Sequence, residues 1–262
     1  SLLNGISMLQ ELNPRTDDYL VSFGERLSVR VISLYLDSIG IKSKYYDAWD
    51  IGFVTDSAFK YAELLPETYQ NISETFAELK NNYDMTPIIT GFIAKDKNGN
   101  ITTLGRGGTD LTASVIGASL GVEEIQVWKD VDGILTTDPR IVENAYPVDC
   151  ISFEQASELA YFGAKVLHPR SIVPAMLKNI PVAVKNSYNP SHPGTKIINI
   201  IPDDDSWVKS ITYKKNVTLI HIVSTRMLGQ YGFLEKVFHI FAKLQLSVDV
   251  ITTSEVSIAL TL

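Results

Sequence analysis

The chain has 262 residues, 45% of them hydrophobic, and 23 Lys and Arg against 30 Asp and Glu leave a net charge of −7. That length buries a full core with room for two domains, and the acidic balance excludes a nucleic-acid partner, which needs clustered positive charge against the phosphates. No apolar run is long enough to cross a bilayer and no signal-peptide pattern opens the sequence, so no membrane partner is expected, while the single cysteine, Cys150, excludes an internal disulfide and a cysteine-based zinc site and points to a reducing compartment.

Leu2, Ile6, Leu9 and Leu12 mark an amphipathic helix already under way at the first residues, as in a fragment. A second helix is predicted from about Glu25 to Ser38, with Leu27, Val31, Leu34 and Tyr35 on its apolar side and Gly40 closing it. Glu25 in its first turn either serves the helix dipole or faces a ligand ammonium, and spacing alone favours the dipole. Ile41 to Tyr46 reads as a strand, Asp47 to Phe53 as an ordered loop and Pro66 to Tyr83 as a surface helix. Pro87 to Ala94 is apolar and β-rich, Lys95 to Asn100 carries the Asn-Gly of a tight hairpin turn, and Ile101 to Leu104 is the short return strand.

That strand delivers the chain to Gly105-Arg106-Gly107-Gly108-Thr109-Asp110. Leu111, Val115, Ile116, Ala118 and Leu120 then recur at helical spacing, with Thr109 or Asp110 able to cap the start and Gly121 suited to the C′ position. Glycines at a helix N-terminus let an anion approach free N–H groups and the positive end of the dipole. Arg106 adds a planar donor fork that suits carboxylate and phosphate equally. The alternative is a glycine-rich connection with a solvated arginine.

Glu124 to Trp128 is a buried-type strand, so hairpin, helix and strand alternate as in an α/β domain. It ends in the polar loop Lys129 to Arg140, beyond the carboxyl end of the strand, where α/β sheets hold ligands and where a nucleotide fits; a plain turn is the alternative, for which Asp-Gly and Asp-Pro suffice. Ser152 and Gln155 form a capping box at the start of a helix through Tyr161. In the following Phe162 to Pro169, Lys165 is either a phosphate ligand or an exposed lysine at a helix end, and His168 makes structural hydrogen bonds at the helix break. His168, His192, His221 and His239 lack metal-ligand spacing, so no protein-held transition metal is expected. Arg170 to Lys178 is a helix, Ile180 to Lys185 a strand and Asn186 to Gly194 a long turn, closing a first domain over 1–201.

The acidic stretch Pro202 to Ser206 opens a linker over 202–214, and a second domain follows over 215–262. There Val217 to Ser224 is β-rich, Phe233 to Leu244 is an amphipathic helix with Leu234, Val237, Phe238 and Phe241 inward, and Leu246 to Ile251 and Glu255 to Leu262 are strands. This β-α-β-β order is an incomplete ferredoxin-like half, to be completed by further sequence or a neighbouring chain.

Ser22-Phe23-Gly24-Glu25, Thr102 to Asp110, Trp128 to Ile134, Thr136 to Arg140 and Phe162 to Pro169, in this order, resemble the aspartate kinase family over nearly the whole chain. Met227 to Leu234 and Ser247 to Glu255 resemble the first ACT regulatory module of its lysine-sensitive members, and Lys129, where many bacterial members carry threonine, is plant-like. The resemblance implies an α/β amino-acid-kinase fold, a mostly parallel sheet flanked by helices, followed by a partial ferredoxin-like ACT module. It implies transfer of the γ-phosphoryl group of ATP to the side-chain carboxylate of L-aspartate, the entry to lysine, threonine and methionine synthesis.

On that basis Arg106 clamps a substrate carboxylate, Glu25 pairs with the α-ammonium in place of the dipole role, and Thr109 and Asp110 fix the substrate loop. Arg106, Asp110 and Lys165 are the catalytic set, while Lys129, Asp130, Arg140 and Lys165 hold ATP, with Mg²⁺ carried on the nucleotide. Leu135 stands where bacterial members often have tyrosine against the adenine. Met227, Gln230, Ser247, Val248, Asp249, Thr253 and Glu255 form the effector site, for lysine in the first instance, and the ACT modules pair into a homodimer. The compartment is the plastid stroma for a plant-like enzyme and otherwise the cytoplasm. The family's Lys-Phe-Gly-Gly segment is not in the sequence, so the chain alone is expected to be feebly active. The competing readings are a non-catalytic lysine-sensing chain and another amino-acid kinase acting on glutamate or acetylglutamate, the latter disfavoured by the ACT segment and Phe-Gly-Glu.

Overall fold

The computed structural model describes residues 2–82, 85–163, 167–200, 208–224, 231–244 and 246–262. The chain divides into two compact units, Ser1–Thr212 and Tyr213–Leu262.

In the first unit, α1 (Leu2–Leu9) precedes the long helix α2 (Pro14–Ser38). Asn13 caps α2, its Oδ1 accepting from Thr16 N at 2.9 Å, and Pro14 supplies a preset φ in the first turn. Because the helix starts at Pro14, Glu25 sits in its middle, where the dipole is not felt, and the dipole reading falls away. The buried side is also not the one periodicity predicts. Asp18, Ser22, Val29 and Ser33 are buried, whereas Leu27, Val31, Leu34 and Tyr35 are exposed. Polar contacts hold this helix: the Ser33 and Ser43 hydroxyls lie 2.8 Å apart, and Ser43 N donates to Asp37 Oδ1 at 2.9 Å.

β1 (Ser43–Tyr46) pairs in parallel with β3 (Thr86–Ile89). Between them, the predicted loop contains a 3-10 turn, Ala48–Ile51, then β2 (Val54–Thr55) and α3 (Glu67–Asn82). β4 (Ile93–Asp96) pairs in parallel with β2 and antiparallel with β5 (Ile101–Thr103), across the predicted Asn-Gly turn. The single strand expected over Pro87 to Ala94 is two, broken where Phe92 takes a φ of 68°.

α4 (Gly108–Leu120) follows, and then β6 (Ile125–Lys129), β7 (Cys150–Ser152), α5 (Phe153–Tyr161), α6 (Pro169–Lys178), β8 (Val182–Asn186) and β9 (Thr195–Ile198). These strands form one sheet in the order β6-β8-β9-β7, with β6/β8 and β9/β7 parallel and β8/β9 antiparallel. The unit is thus mixed α/β with three small sheets among the described residues, where one mostly parallel sheet was expected. The reciprocal capping box at Ser152 and Gln155 starts α5 as predicted.

Two cores share α4. Leu111 and Val115 pack with Ile51, Phe53, Ile72 and Leu104, while Ala113 meets the second core of Ile125, Ile151, Phe153, Ile172, Val184 and Ile197. A helix packed on both sides this way needs small residues, and Gly117 lies against Ile125 with no room for a Cβ.

The residues expected to open the linker, Pro202 to Ser206, lie outside those described. Farther on, Ser210 Oγ donates to Leu135 O at 2.9 Å and Ile211 N to Thr136 O at 2.8 Å, so this part of the expected linker is stitched onto the first unit. The division between the two units falls at Thr212 and Tyr213, within the 202–214 stretch.

The second unit holds β10 (Leu219–Val223), α7 (Phe233–Lys243), β11 (Ile251–Thr253) and β12 (Ser257–Thr261), in an antiparallel sheet ordered β10-β12-β11. Val237 and Phe241, four residues apart on α7, pack onto Ile258 and Leu260, while Leu234 and Phe238, also expected inward, are exposed because one short sheet covers only a narrow stripe of the helix. The strand expected from Leu246 is regular only from Ile251, and Glu255 lies in the turn before β12. No helix among the described residues is long and apolar enough to cross a membrane.

Candidate active site

β5 ends at Thr103, and a buried carboxylate fixes that end. Asp18, on α2, accepts from Thr103 N and Thr103 Oγ1 at 2.9 Å each, and from Lys60 N at 2.9 Å. The chain then turns through Gly105 and Gly107, both at positive φ, 71° and 75°. Gly107 is the N-cap of α4, and neither Thr109 nor Asp110 caps the helix, since both already lie within its first turn. No side chain caps α4; Gly108 N donates to Gly105 O at 3.0 Å, and the amides of Thr109 and Asp110 keep their donors for a ligand. A Cβ on Gly107 would stand 2.4 Å from His168 Cβ, which makes glycine obligatory there on two counts.

His168 is the N-cap of α6, and its Nδ1 accepts from Arg170 N at 3.3 Å. Burial, then the positive charges of Arg106 and Arg170, hold its pKa below the ordinary histidine value, and the neutral ring caps the helix. Arg106 is exposed and makes no hydrogen bond or ion pair among the described residues, so its fork is open. Thr109 is exposed beside it.

At the end of β6, Lys129 Nζ reaches both oxygens of Asp110, at 3.0 and 2.9 Å. This joins the glycine stretch to the polar loop. The loop itself is anchored at the carboxyl ends of the parallel strands β6 and β8: Asp132 accepts from Asn186 Nδ2 at 2.8 Å and Asn189 Nδ2 at 3.1 Å, and the Asn186 bond is the main reason its pKa is held down. Ile134 N donates to Thr195 Oγ1 at 2.8 Å. Asp130 projects exposed from this loop, and Arg140 is exposed with its guanidinium on Asp138, at 3.0 and 2.7 Å.

Glu25 is partly buried on α2 with no hydrogen-bond or ion-pair partner among the described residues, and burial raises its pKa. Desolvating a carboxylate without a partner is unfavourable unless a cation arrives. Asp18 was not singled out in the sequence: its partner Thr103 is 85 residues away and leaves no local pattern. Lys165, Met227 and Gln230 lie outside the described residues. In the second unit Ser247, Thr253 and Glu255 are exposed, Val248 packs against the core, and Asp249 is ion-paired with Lys214. No group of three His, Cys, Asp or Glu among the described residues could hold a metal ion.

Residues 4–186 match the amino acid kinase family. The chain is 55% identical over its 262 residues to aspartokinase 1, chloroplastic, of Arabidopsis thaliana, all of this chain aligning with 46% of that protein. It superposes on the crystal structure of Escherichia coli aspartokinase III in complex with aspartate and ADP (R-state) with a TM-score of 0.85 at 38% identity, over 100% of this chain and 59% of that one. The complex of the same enzyme with lysine and aspartate (T-state) gives a TM-score of 0.76 at 36% identity, over 99% and 59%. The chain therefore spans about half the length of the curated relatives it matches.

Proposed function

Because the chain belongs to the amino acid kinase family, we propose that it forms the amino-acid and nucleotide sites of an aspartate kinase, which transfers the γ-phosphoryl group of MgATP to the side-chain carboxylate of L-aspartate. The observation that carries this reading is the Asp110–Lys129 pair, which couples an anion-binding helix start to a loop at the carboxyl ends of a parallel strand pair. The similarity to an aspartokinase crystallised with aspartate and ADP supports both ligands.

The chemistry asks little of the protein beyond placement and charge. The β-carboxylate of aspartate is ionised at neutral pH and needs no general base, so positioning and electrostatic stabilisation supply the rate. Arg106, with its fork open, holds a substrate carboxylate at the uncapped start of α4, and Thr109 lines the same turn. Glu25 receives the α-ammonium, which relieves the burial of its carboxylate. Lys129 is oriented by Asp110 and, with Asp130, Arg140 and Lys165, serves the nucleotide. Mg²⁺ bound to the phosphates supplies charge neutralisation, and the exposed Asp130 carboxylate fits a nucleotide-borne ion.

The second unit, with its β-α-β-β order and central β12, is the first part of an ACT module. Met227, Gln230, Ser247, Val248, Asp249, Thr253 and Glu255 bind an effector there. Lysine is the effector proposed, supported by the E. coli enzyme's lysine complex. Paired modules make the protein a homodimer, and the chloroplastic relatives support the plastid stroma as its compartment.

Calorimetric titration of L-aspartate into the protein with saturating MgADP tests the reading. Saturable binding, weakened at least tenfold in both Arg106→Ala and Glu25→Ala and absent for L-glutamate, is expected. Preference for glutamate, or equal affinity in the two variants, would overturn it.

A further inference from the structure

Away from the glycine turn, the first unit carries a cavity of about 540 Å³ between the start of α2, the 3-10 turn and the β4–β5 hairpin. Its walls include Arg15, Tyr19, Arg26, Trp49, Lys95 and Asn100. Three cations thus gather on one cavity in a protein whose net charge is −7.

Arg26 and Lys95 are held in ways that leave donors available. Arg26 Nε donates to Asp47 Oδ2 at 3.0 Å, while its terminal nitrogens make no hydrogen bond among the described residues. The guanidinium carbon stands 5.5 Å from the Trp49 ring centroid, and Lys95 Nζ stands 4.3 Å from the same centroid. One indole therefore steadies two positive charges. Neither Lys95 nor Arg15 has an ion-pair partner among the described residues. The nearby carboxylate, Asp47, is already shared, since Arg30 also donates to it at 3.2 Å.

Like charges brought to one indole repel, and among the described residues the carboxylate paired with Arg26 is divided between two arginines. An anion entering the cavity relieves that repulsion without first having to order its ligands, because Arg26 and Lys95 are already fixed. The space exceeds what one carboxylate fills, and an arginine fork with two further cations suits a group presenting several charged oxygens.

We propose that this cavity is a second anion site, distinct from the amino-acid and nucleotide sites, which binds a small molecule bearing a diphosphate or comparable polyphosphate through Arg15, Arg26 and Lys95. Inorganic pyrophosphate is the probe, titrated by calorimetry with aspartate and MgADP both saturating so that the other sites are filled. One pyrophosphate per chain is expected, with affinity reduced at least tenfold in both Lys95→Glu and Arg15→Glu and unchanged in Arg106→Ala. A fluorescence change on titration that vanishes in Trp49→Phe is expected as an independent readout. Absence of binding, retention of affinity in the two charge-reversed variants, loss in Arg106→Ala, or a fluorescence change that survives in Trp49→Phe would each overturn the proposal.

Discussion

Lys129 Nζ is bound to both carboxylate oxygens of Asp110, so the last residue of β6 and the first turn of α4 are one electrostatic unit. Each partner then sets the orientation of the other, and removing either leaves a partly buried charge behind. Asp110→Asn and Lys129→Met should therefore be non-additive in stability, with a coupling of roughly 1 kcal/mol in a double-mutant cycle followed by chemical denaturation. Both single variants should also bind MgADP about tenfold more weakly, a loss of about 1.4 kcal/mol. Additive stabilities would mean that the pair is not a unit in solution.

Arg106 is exposed and makes no hydrogen bond or ion pair among the described residues, so its replacement separates binding from stability. Arg106→Ala should melt at the same temperature as the parent protein. Its aspartate affinity should fall by about 1.5–3 kcal/mol, the worth of a charge-assisted hydrogen-bond set. Arg106→Lys should recover only part, since an ammonium lacks the planar fork. A lowered melting temperature in Arg106→Ala would assign the arginine to the fold instead.

Burial raises the pKa of Glu25 above its ordinary 4.5, so the stability it gives as a neutral acid is present below that value and is lost as pH rises through the higher folded value. The ionised carboxylate is disfavoured by burial, and in the proposed site a substrate ammonium would relieve that cost. Aspartate affinity should accordingly decline on acidification at a pH above the ordinary glutamate range. Glu25→Gln should bind aspartate weakly, lose that acid limb and be no less stable at neutral pH. An unchanged acid limb in the variant would remove Glu25 from the site.

Gly107 packs so closely on His168 that a side chain at position 107 has no room. Gly107→Ala combines a positive φ with a Cβ 2.4 Å from His168 Cβ, and should cost about 1–3 kcal/mol in thermal or chemical denaturation. The His168 pKa is depressed, so its stabilising contribution is complete above the unfolded value of about 6.5 and is lost as pH falls through the lower folded value. His168→Asn, which caps without titrating, should flatten the stability profile in that window. A profile identical to that of the parent would show that another group is responsible.

Asp18 supports the site from underneath. Its three accepted hydrogen bonds tie α2, which carries Glu25, to the end of β5, from which Arg106 follows. Asp18→Ala strands buried donors and should destabilise the protein by about 2–4 kcal/mol. In the folded fraction it should also weaken aspartate binding with little effect on MgADP. Equal weakening of both ligands would point to general loosening of the unit.

Much of the chemistry was legible because it is local. The Asn-Gly turn, the Ser152 and Gln155 capping box, Gly121 at the end of α4 and the structural hydrogen bond of His168 at the helix break each depend on residues within a few positions of one another, and the structure has all four. Helix α2 shows where such reasoning stops. Its apolar stripe of Leu27, Val31, Leu34 and Tyr35 is exposed, and its buried side carries Asp18, Ser22 and Ser33, because hydrogen bonds to distant partners and not apolar burial hold it in place. The same limit hid the docking of Ser210 and Ile211 onto the loop at Leu135 and Thr136.

By itself, then, the amino-acid order determined the local turns and caps and a short set of residues whose chemistry suits carboxylate, ammonium and phosphate. Only the tertiary structure decided that Asp110 is spent on orienting Lys129, that Gly107 and not Thr109 begins α4, that Glu25 lies mid-helix without a partner among the described residues, and that Arg26 and Lys95 converge on Trp49. Propensity, turn chemistry and capping act over one or two turns of chain, whereas the pairing of charges across a fold depends on distances that exist only once the chain has closed on itself.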